Sequence, residues 1–229
     1  RFVESVEKTA TYPNKITMWN YVDTDDPKIT QYRTWFDTRD YSPMFSDPTK
    51  VDVHMFGGEP QSVSKSWNVI THKALSFDPH IDVVIMGNDD LVYRTEGWDE
   101  ILAEQIATVD QKIYCMWFND LINEGRHCAF PIVPRLWVET LGQFTPEIFH
   151  FGYNDTWIFD IALRLGCTHY IPDVIAEHLH FSVGKSEMDD TYHRNRTQER
   201  GNLYAKDKVI YEATESLREV SAEKLKAIM

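Results

Sequence analysis

Apolar positions along the chain follow two periods in alternation. Ile16 to Val22 (ITMWNYV), Val51 to Phe56 (VDVHMF), Ile81 to Met86 (IDVVIM) and Ile113 to Phe118 (IYCMWF) are short apolar or alternating runs and predict strands. The Ile81–Met86 run is nearly continuous and rich in β-branched residues, the pattern of a strand covered on both faces. Between these runs the spacing turns helical. Val63, Trp67, Ile70 and Leu75 share one stripe, Ile101, Leu102, Ile106 and Val109 another, and Ile158, Ile161, Ala162 and Leu165 a third that stops at Gly166. Arg1 to Val6 also reads as helix. Strand and helix in alternation predict an α/β layer built on a parallel sheet. From about Asp189 to Arg200 the chain is polar and charge-rich, and Leu203 to Met229 then reads as a helical tail with Ile210, Leu217, Leu225 and Ile228 widely spaced along it. Two readings fit the tail: a solvated helix packed on its own domain, or a helix that joins two copies into a homo-oligomer.

Composition narrows the class. A chain of 229 residues predicts one domain, and 42% hydrophobic with 13% aromatic residues supplies an ample core, which excludes disorder. Lys and Arg number 23 against 36 Asp and Glu, a formal charge of −13. That balance argues against binding a nucleic-acid backbone, though not against a nucleotide whose charge a metal neutralises. No apolar run approaches the roughly 18–20 residues of a membrane span, and no signal peptide is visible. Cys115, Cys128 and Cys167 are odd in number and unpatterned, so they read as free thiols in a reducing, cytoplasmic setting.

Three places carry candidate chemistry. Asn88-Asp89-Asp90 directly follows the Ile81–Met86 strand, and ligands of open α/β sheets gather beyond the carboxyl ends of strands. Adjacent carboxylates there suit a hard divalent cation; an Asp-rich turn or helix cap fits the same residues. Asn154-Asp155 opens the 155–165 helix, either as its cap or with Asp155 as a general base. The glycine- and aromatic-rich approach to it, from Gly142-Gln143-Phe144 through Phe149-His150-Phe151-Gly152-Tyr153, can wall a small polar ligand with aromatic faces. In Glu177-His178-Leu179-His180 an extended backbone points both imidazoles to one face, where a metal or a plain surface pair is served equally well. No zinc-type Cys/His spacing, phosphate-binding glycine loop or Gly-x-Ser-x-Gly elbow occurs. Arg126, His127 and Arg135 read as surface charges, with an anionic acceptor as their other use.

Taken in order, these pieces resemble a GT-A glycosyltransferase, similar to the family 2 type. The quoted segments are Val22-Asp23-Thr24-Asp25-Asp26, Ser64-Lys65-Ser66-Trp67-Asn68, Val83-Val84-Ile85-Met86-Gly87-Asn88-Asp89-Asp90, Gly142-Gln143-Phe144 leading to Asn154-Asp155, and the late His178 or His180. The likeness covers about Arg1 to Lys185. It implies a GT-A fold with a mixed, mainly parallel sheet flanked by helices. Residues 1–188 would form the catalytic domain, with 1–118 as nucleotide-sugar half and 119–188 as acceptor half, and 189–229 would be a polar segment and tail.

The resemblance also implies a reaction: transfer of a sugar from a UDP- or GDP-sugar donor to a hydroxyl acceptor, a saccharide, with Mn²⁺ or Mg²⁺. Asp90 and His178 or His180 would hold the metal, and Asp89 the donor ribose or diphosphate. Asp23 and Asp25 would hold the base or ribose, Lys65, Asn68 and Lys185 would touch donor phosphate or sugar, and Asp155 would be the base. The motifs depart from the family in two places: the first carboxylate of the DxD motif is the amide Asn88, and the later acidic pair is Asn154-Asp155. Because Arg1-Phe2-Val3-Glu4-Ser5-Val6 already reads as the family's first helix, the resemblance places the first strand outside this chain and leaves the sheet one strand short. Two alternatives stand beside it. One is a nucleotidyltransferase, which needs a basic glycine-rich loop not seen here. The other is a carbohydrate-binding or assembly module that stacks sugars on Trp98, Trp117, Trp137 and Trp157; against that use, tryptophans at such spacing are most often core.

Overall fold

The computed structural model describes residues 1–38, 49–188, 193, 195 and 201–229. The polar stretch after Met188 therefore lies largely outside the described residues. Strands β1 (Thr17–Asp23) and β2 (Asp52–Gly58) form a parallel pair, with Thr17 opposite Asp52 and Asp23 opposite Gly58. A second sheet has the order β3 (Val83–Ile85), β6 (Ile132–Pro134), β5 (Cys115–Asn119), β7 (Thr168–His178) and β4 (Leu91–Tyr93). Eight α-helices are described: α1 (Phe2–Thr9), α2 (Ile29–Thr38), α3 (Val63–Phe77), α4 (Trp98–Ala107), α5 (Arg135–Leu141), α6 (Asn154–Leu165), α7 (Leu203–Ala213) and α8 (Glu215–Lys226). None is long and apolar enough to cross a membrane.

Strand β5 explains why its run is apolar throughout. It lies between β6 and β7 with both faces covered, so alternation has no polar side to show. Cys115 and Trp117 enter a core shared with Trp137, Phe149, Trp157 and Ile161. Met116 and Phe118 enter the opposite one, with Tyr93, Trp98, Leu102 and Ile132. All four tryptophans weighed above as sugar platforms are therefore core: Trp98, Trp117, Trp137 and Trp157 are each buried.

The structure refines three expectations. The architecture is mixed α/β, on a mixed sheet rather than the parallel one that the alternation of strand and helix predicts: β1/β2 and β5/β7 are parallel, while β3/β6, β5/β6 and β4/β7 are antiparallel. The antiparallel pairings come from β4 and β6, three-residue strands too short to impose a period on the sequence. Second, β3 has a core against each face, Val84 on one and Val83 and Ile85 on the other, but it is not enclosed within the sheet. It is the edge of its sheet, and Val83, Val84 and Ile85 are only half-buried. Their free side faces β1 across a groove of about 620 Å³ lined by Ile16, Met18, Trp67, Ile70 and Val84, and β1 and β3 are not hydrogen-bonded to each other. An apolar run does not tell a central strand from an edge that faces an apolar groove. Third, the tail is two helices, broken at Thr214, whose hydroxyl donates to the Ile210 carbonyl at 2.6 Å.

These two helices belong to the body of the protein. α8 packs on α6 and α5, with Ala222 and Leu225 buried in the same core as Trp137. Arg218 of α8 is 4% exposed; it donates to Asp160 on α6 and to the Tyr211 carbonyl, and its guanidinium lies 3.9 Å from the centre of the Tyr211 ring.

Candidate active site

Two antiparallel steps, β3 to β6 and β6 to β5, make β3 parallel to β5, and β5 is parallel to β7. The carboxyl ends of all three strands therefore lie along one edge of the sheet. Asn88-Asp89-Asp90, Asn119-Asp120 and His178 all emerge there. This edge opens into a cleft of about 1400 Å³, whose walls include Asp89, Asp90, His127, Asp155, His178 and Tyr204.

The β4/β7 pairing brings together residues far apart in sequence. Leu91 sits opposite His178, and the Leu179 amide donates to the Asp90 carbonyl at 2.9 Å. That register places His178 Nε2 3.0 Å from Asp90 Oδ2. The remaining polar atoms of the pair, Asp90 Oδ1 and His178 Nδ1, are buried without a hydrogen-bond partner. A buried carboxylate oxygen left unmade costs about 1–3 kcal/mol, so such an atom asks for a ligand. His180 lies beside the pair, its ring 4.9 Å from that of His178, but its Nδ1 is engaged with the Ser182 hydroxyl at 2.7 Å.

A second carboxylate–imidazole pair lines the same cleft. Asp155 occupies the first turn of α6, where the helix dipole favours a negative charge, and its Oδ2 lies 2.9 Å from His127 Nε2. The start of α6 is fixed from below: Tyr153 caps it at φ +66°, and buried Asn154 hydrogen-bonds the Ser64 hydroxyl of α3. Burial pushes the His127 imidazole down, but the hydrogen bond to Asp155 and the charges of Asp155 and Asp120 outweigh it and hold the imidazole above its ordinary range. His127, read from sequence as a surface charge, is thus the partner of the candidate base.

The acidic cluster after β1 reaches the cleft through Asp26 rather than through Asp23 or Asp25. Burial, together with the charges of Asp26 and Asp89, lifts the Tyr32 phenol above its usual range, a sign of the negative field on that wall. The other donor-side residues are spent on structure. Asn68 is 2% exposed: its Oδ1 accepts from the Phe144 and Thr145 amides, and its Nδ2 donates to the Thr145 carbonyl. It brackets the turn after Gly142-Gln143 rather than facing the cleft. Lys65 is exposed on α3 and does not line the cleft, and Lys185 Nζ pairs with Glu177 Oε1 at 2.7 Å. Lys185 and Arg94 together hold the Glu177 carboxyl below its ordinary range.

Two buried carboxylates near the cleft escaped the sequence reading. Asp120, 4% exposed, accepts from the amides of Ile122, Asn123 and Glu124, and so shapes a loop in which Leu121 and Glu124 hold positive φ. Its signal was present: Asn119-Asp120 follows β5 as Asn88-Asp89 follows β3. Asp207 of α7, fully buried, binds the amides of His150, Phe151 and Gly152. Nothing local in the sequence announces that contact, because its partners lie more than fifty residues away.

Divalent-metal chemistry fits what is present, within limits. Among the described residues no three His, Cys, Asp or Glu side chains converge as a closed metal site. Mg²⁺ and Mn²⁺ ordinarily take one or two protein donors and complete their shell with substrate phosphates and water. The Asp90–His178 pair with its orphaned Oδ1 offers that kind of donor set, and not the four-ligand cage of structural zinc. Compared with known proteins, the chain matches no family model and no curated sequence.

Proposed function

We propose that this protein is a metal-dependent glycosyltransferase of GT-A type, moving a sugar from a nucleotide-diphosphate donor to a saccharide hydroxyl. The observation that carries the reading is the placement of two Asp–His pairs, Asp90–His178 and Asp155–His127, in one cleft at the carboxyl edge of the sheet. One pair suits a cation and the other a proton. The carbohydrate-module alternative has lost its main support, since its four tryptophans are buried.

Asp90, with His178, would hold the cation, and Asp89 and Asp26 would face the donor from the same wall. A bound Mg²⁺ or Mn²⁺ supplies Lewis-acid stabilisation of the departing diphosphate. Asp155 accepts the proton of the acceptor hydroxyl as that oxygen bonds to the anomeric carbon, while the bond from that carbon to the diphosphate breaks and the electron pair leaves with the phosphate. His127 keeps the carboxylate oriented through the 2.9 Å contact and balances its charge before the proton arrives. A single displacement, with the acceptor oxygen attacking opposite the leaving diphosphate as Asp155 takes its proton, implies inversion at the anomeric carbon.

The test is release of UDP or GDP from a panel of nucleotide-sugars with Mn²⁺, with and without oligosaccharide acceptors. Wild type turns over a donor, Asp90→Ala loses turnover, and Asp155→Asn loses transfer at least about a hundredfold while still binding donor. Full transfer by Asp155→Asn removes the base assignment, and no turnover with any donor and metal removes the reading.

A further inference from the structure

The α7 helix contributes to the cleft as well as to the core. Tyr204, in its first turn, is 38% exposed and lines the cleft alongside Gly152, Tyr153 and Asp155. Its ring centre lies 5.2 Å from that of Tyr153 at an interplanar angle of 37°, and Tyr211, about two turns further along the same helix face, also packs on Tyr153 with ring centres 5.2 Å apart. Burial and the hydrogen bond to Tyr204 push the Tyr153 phenol up to about 12, so that ring stays neutral across the working range of pH. The approach of helix to loop is close. A methyl group on Gly152 would lie 2.7 Å from the Tyr204 ring, so glycine is needed at that position for the ring to sit where it does.

The loop itself is held by one side chain. Asp207 Oδ2 accepts from the amides of Phe151 at 2.7 Å and Gly152 at 2.9 Å, and Oδ1 from the amide of His150 at 3.1 Å. Those are the residues that lead into Tyr153, with its left-handed backbone, and then into Asp155. A carboxylate is needed because both of its oxygens face N–H donors; an amide would turn an NH₂ group toward one of them.

We propose that Tyr204 and Tyr153 form an aromatic platform on which an acceptor sugar ring stacks beside Asp155, and that Asp207 is the positioning residue that sets this platform. The ligand class is a neutral or weakly polar pyranose, whose C–H face matches an uncharged aromatic surface, while the hydroxyl rim is left to Asp155 and Thr156. The role of the sugar as acceptor rests on the transferase reading; the platform itself does not.

The experiment is therefore done without donor or metal. Saturation-transfer NMR is recorded on the full chain with a panel of neutral oligosaccharides of glucose, galactose, mannose and N-acetylglucosamine. At least one saccharide binds wild type, Tyr204→Phe keeps that affinity, and Tyr204→Ala and Gly152→Ala each weaken it about tenfold. In Asp207→Asn the amides of residues 150–152 exchange with solvent at least about tenfold faster, saccharide affinity falls, and the protection of β5 amides is unchanged. Absence of binding across the panel overturns the platform, as does full affinity in Tyr204→Ala. Unchanged 150–152 protection in Asp207→Asn overturns the positioning role. A sugar that binds this platform in a chain that transfers nothing sinks the transferase reading and leaves the platform standing.

Discussion

Replacing Asn68 by alanine separates a structural bracket from a donor contact. The side chain is 2% exposed and makes three short hydrogen bonds to the backbone of residues 144 and 145, at 2.8, 2.9 and 3.0 Å. Phe144 and Thr145 are themselves buried, so Asn68→Ala leaves two amides and one carbonyl without a partner in a place that water reaches poorly. At about 1–2 kcal/mol for each orphaned group, the loss is about 3–5 kcal/mol, part of it recoverable if a water enters the vacated space. For a chain of this size that corresponds to a fall in melting temperature of about 10 °C. Urea unfolding followed by tryptophan fluorescence reads it as a lower midpoint at unchanged slope. A loss below about 1 kcal/mol, accompanied by loss of nucleotide affinity, would refute the bracket and return Asn68 to the donor side.

Arg218→Ala removes a buried guanidinium and leaves Asp160 with Arg164 as its remaining partner, so a stability loss of about 3 kcal/mol is expected in the same urea assay; a loss within about 0.5 kcal/mol would mean that α8 is not anchored this way. His127 is held above its ordinary range, so the stability it contributes is fully present below about pH 6.5 and is lost as pH rises through the higher folded value. The stability difference between wild type and His127→Gln therefore shrinks from pH 6 toward pH 9, and a difference that grows with pH would contradict the pairing with Asp155. Amides of β5, hydrogen-bonded on both sides, exchange more slowly than those of β3, which is paired on one side only; equal protection by hydrogen-exchange NMR would deny the open edge.

Much of this fold is legible in the sequence where the period is long enough to count. The Val63–Leu75 stripe and the 155–165 helix correspond to α3 and α6 within a residue or two at each end, and the IYCMWF run is the buried centre of the sheet. What escapes is short or non-local. β4 and β6 have three residues each and carry no period, so the antiparallel half of the sheet leaves no pattern to find. The edge position of β3 is decided by what lies across the groove, which a local apolar run does not encode.

The candidate site divides along the same line. Asp90, Asp155 and His178 stand out because they sit at element ends, where short motifs report function. His127 and Asp207 become visible only through partners 28 and 57 residues away. Asn68 shows the reverse: a polar residue at a motif position whose amide is consumed by the backbone of a distant turn.

In the proposed reaction Asp90 and His178 form a cation site that works together with a nucleoside diphosphate. Calorimetric titration of UDP and of GDP, each with and without Mn²⁺, into wild type, Asp90→Ala and His178→Ala tests it most directly. The expected result is metal-dependent binding of at least one nucleotide by wild type, weakened at least about tenfold in either variant while both stay folded. Nucleotide binding that ignores the metal, or that survives both substitutions unchanged, would contradict it.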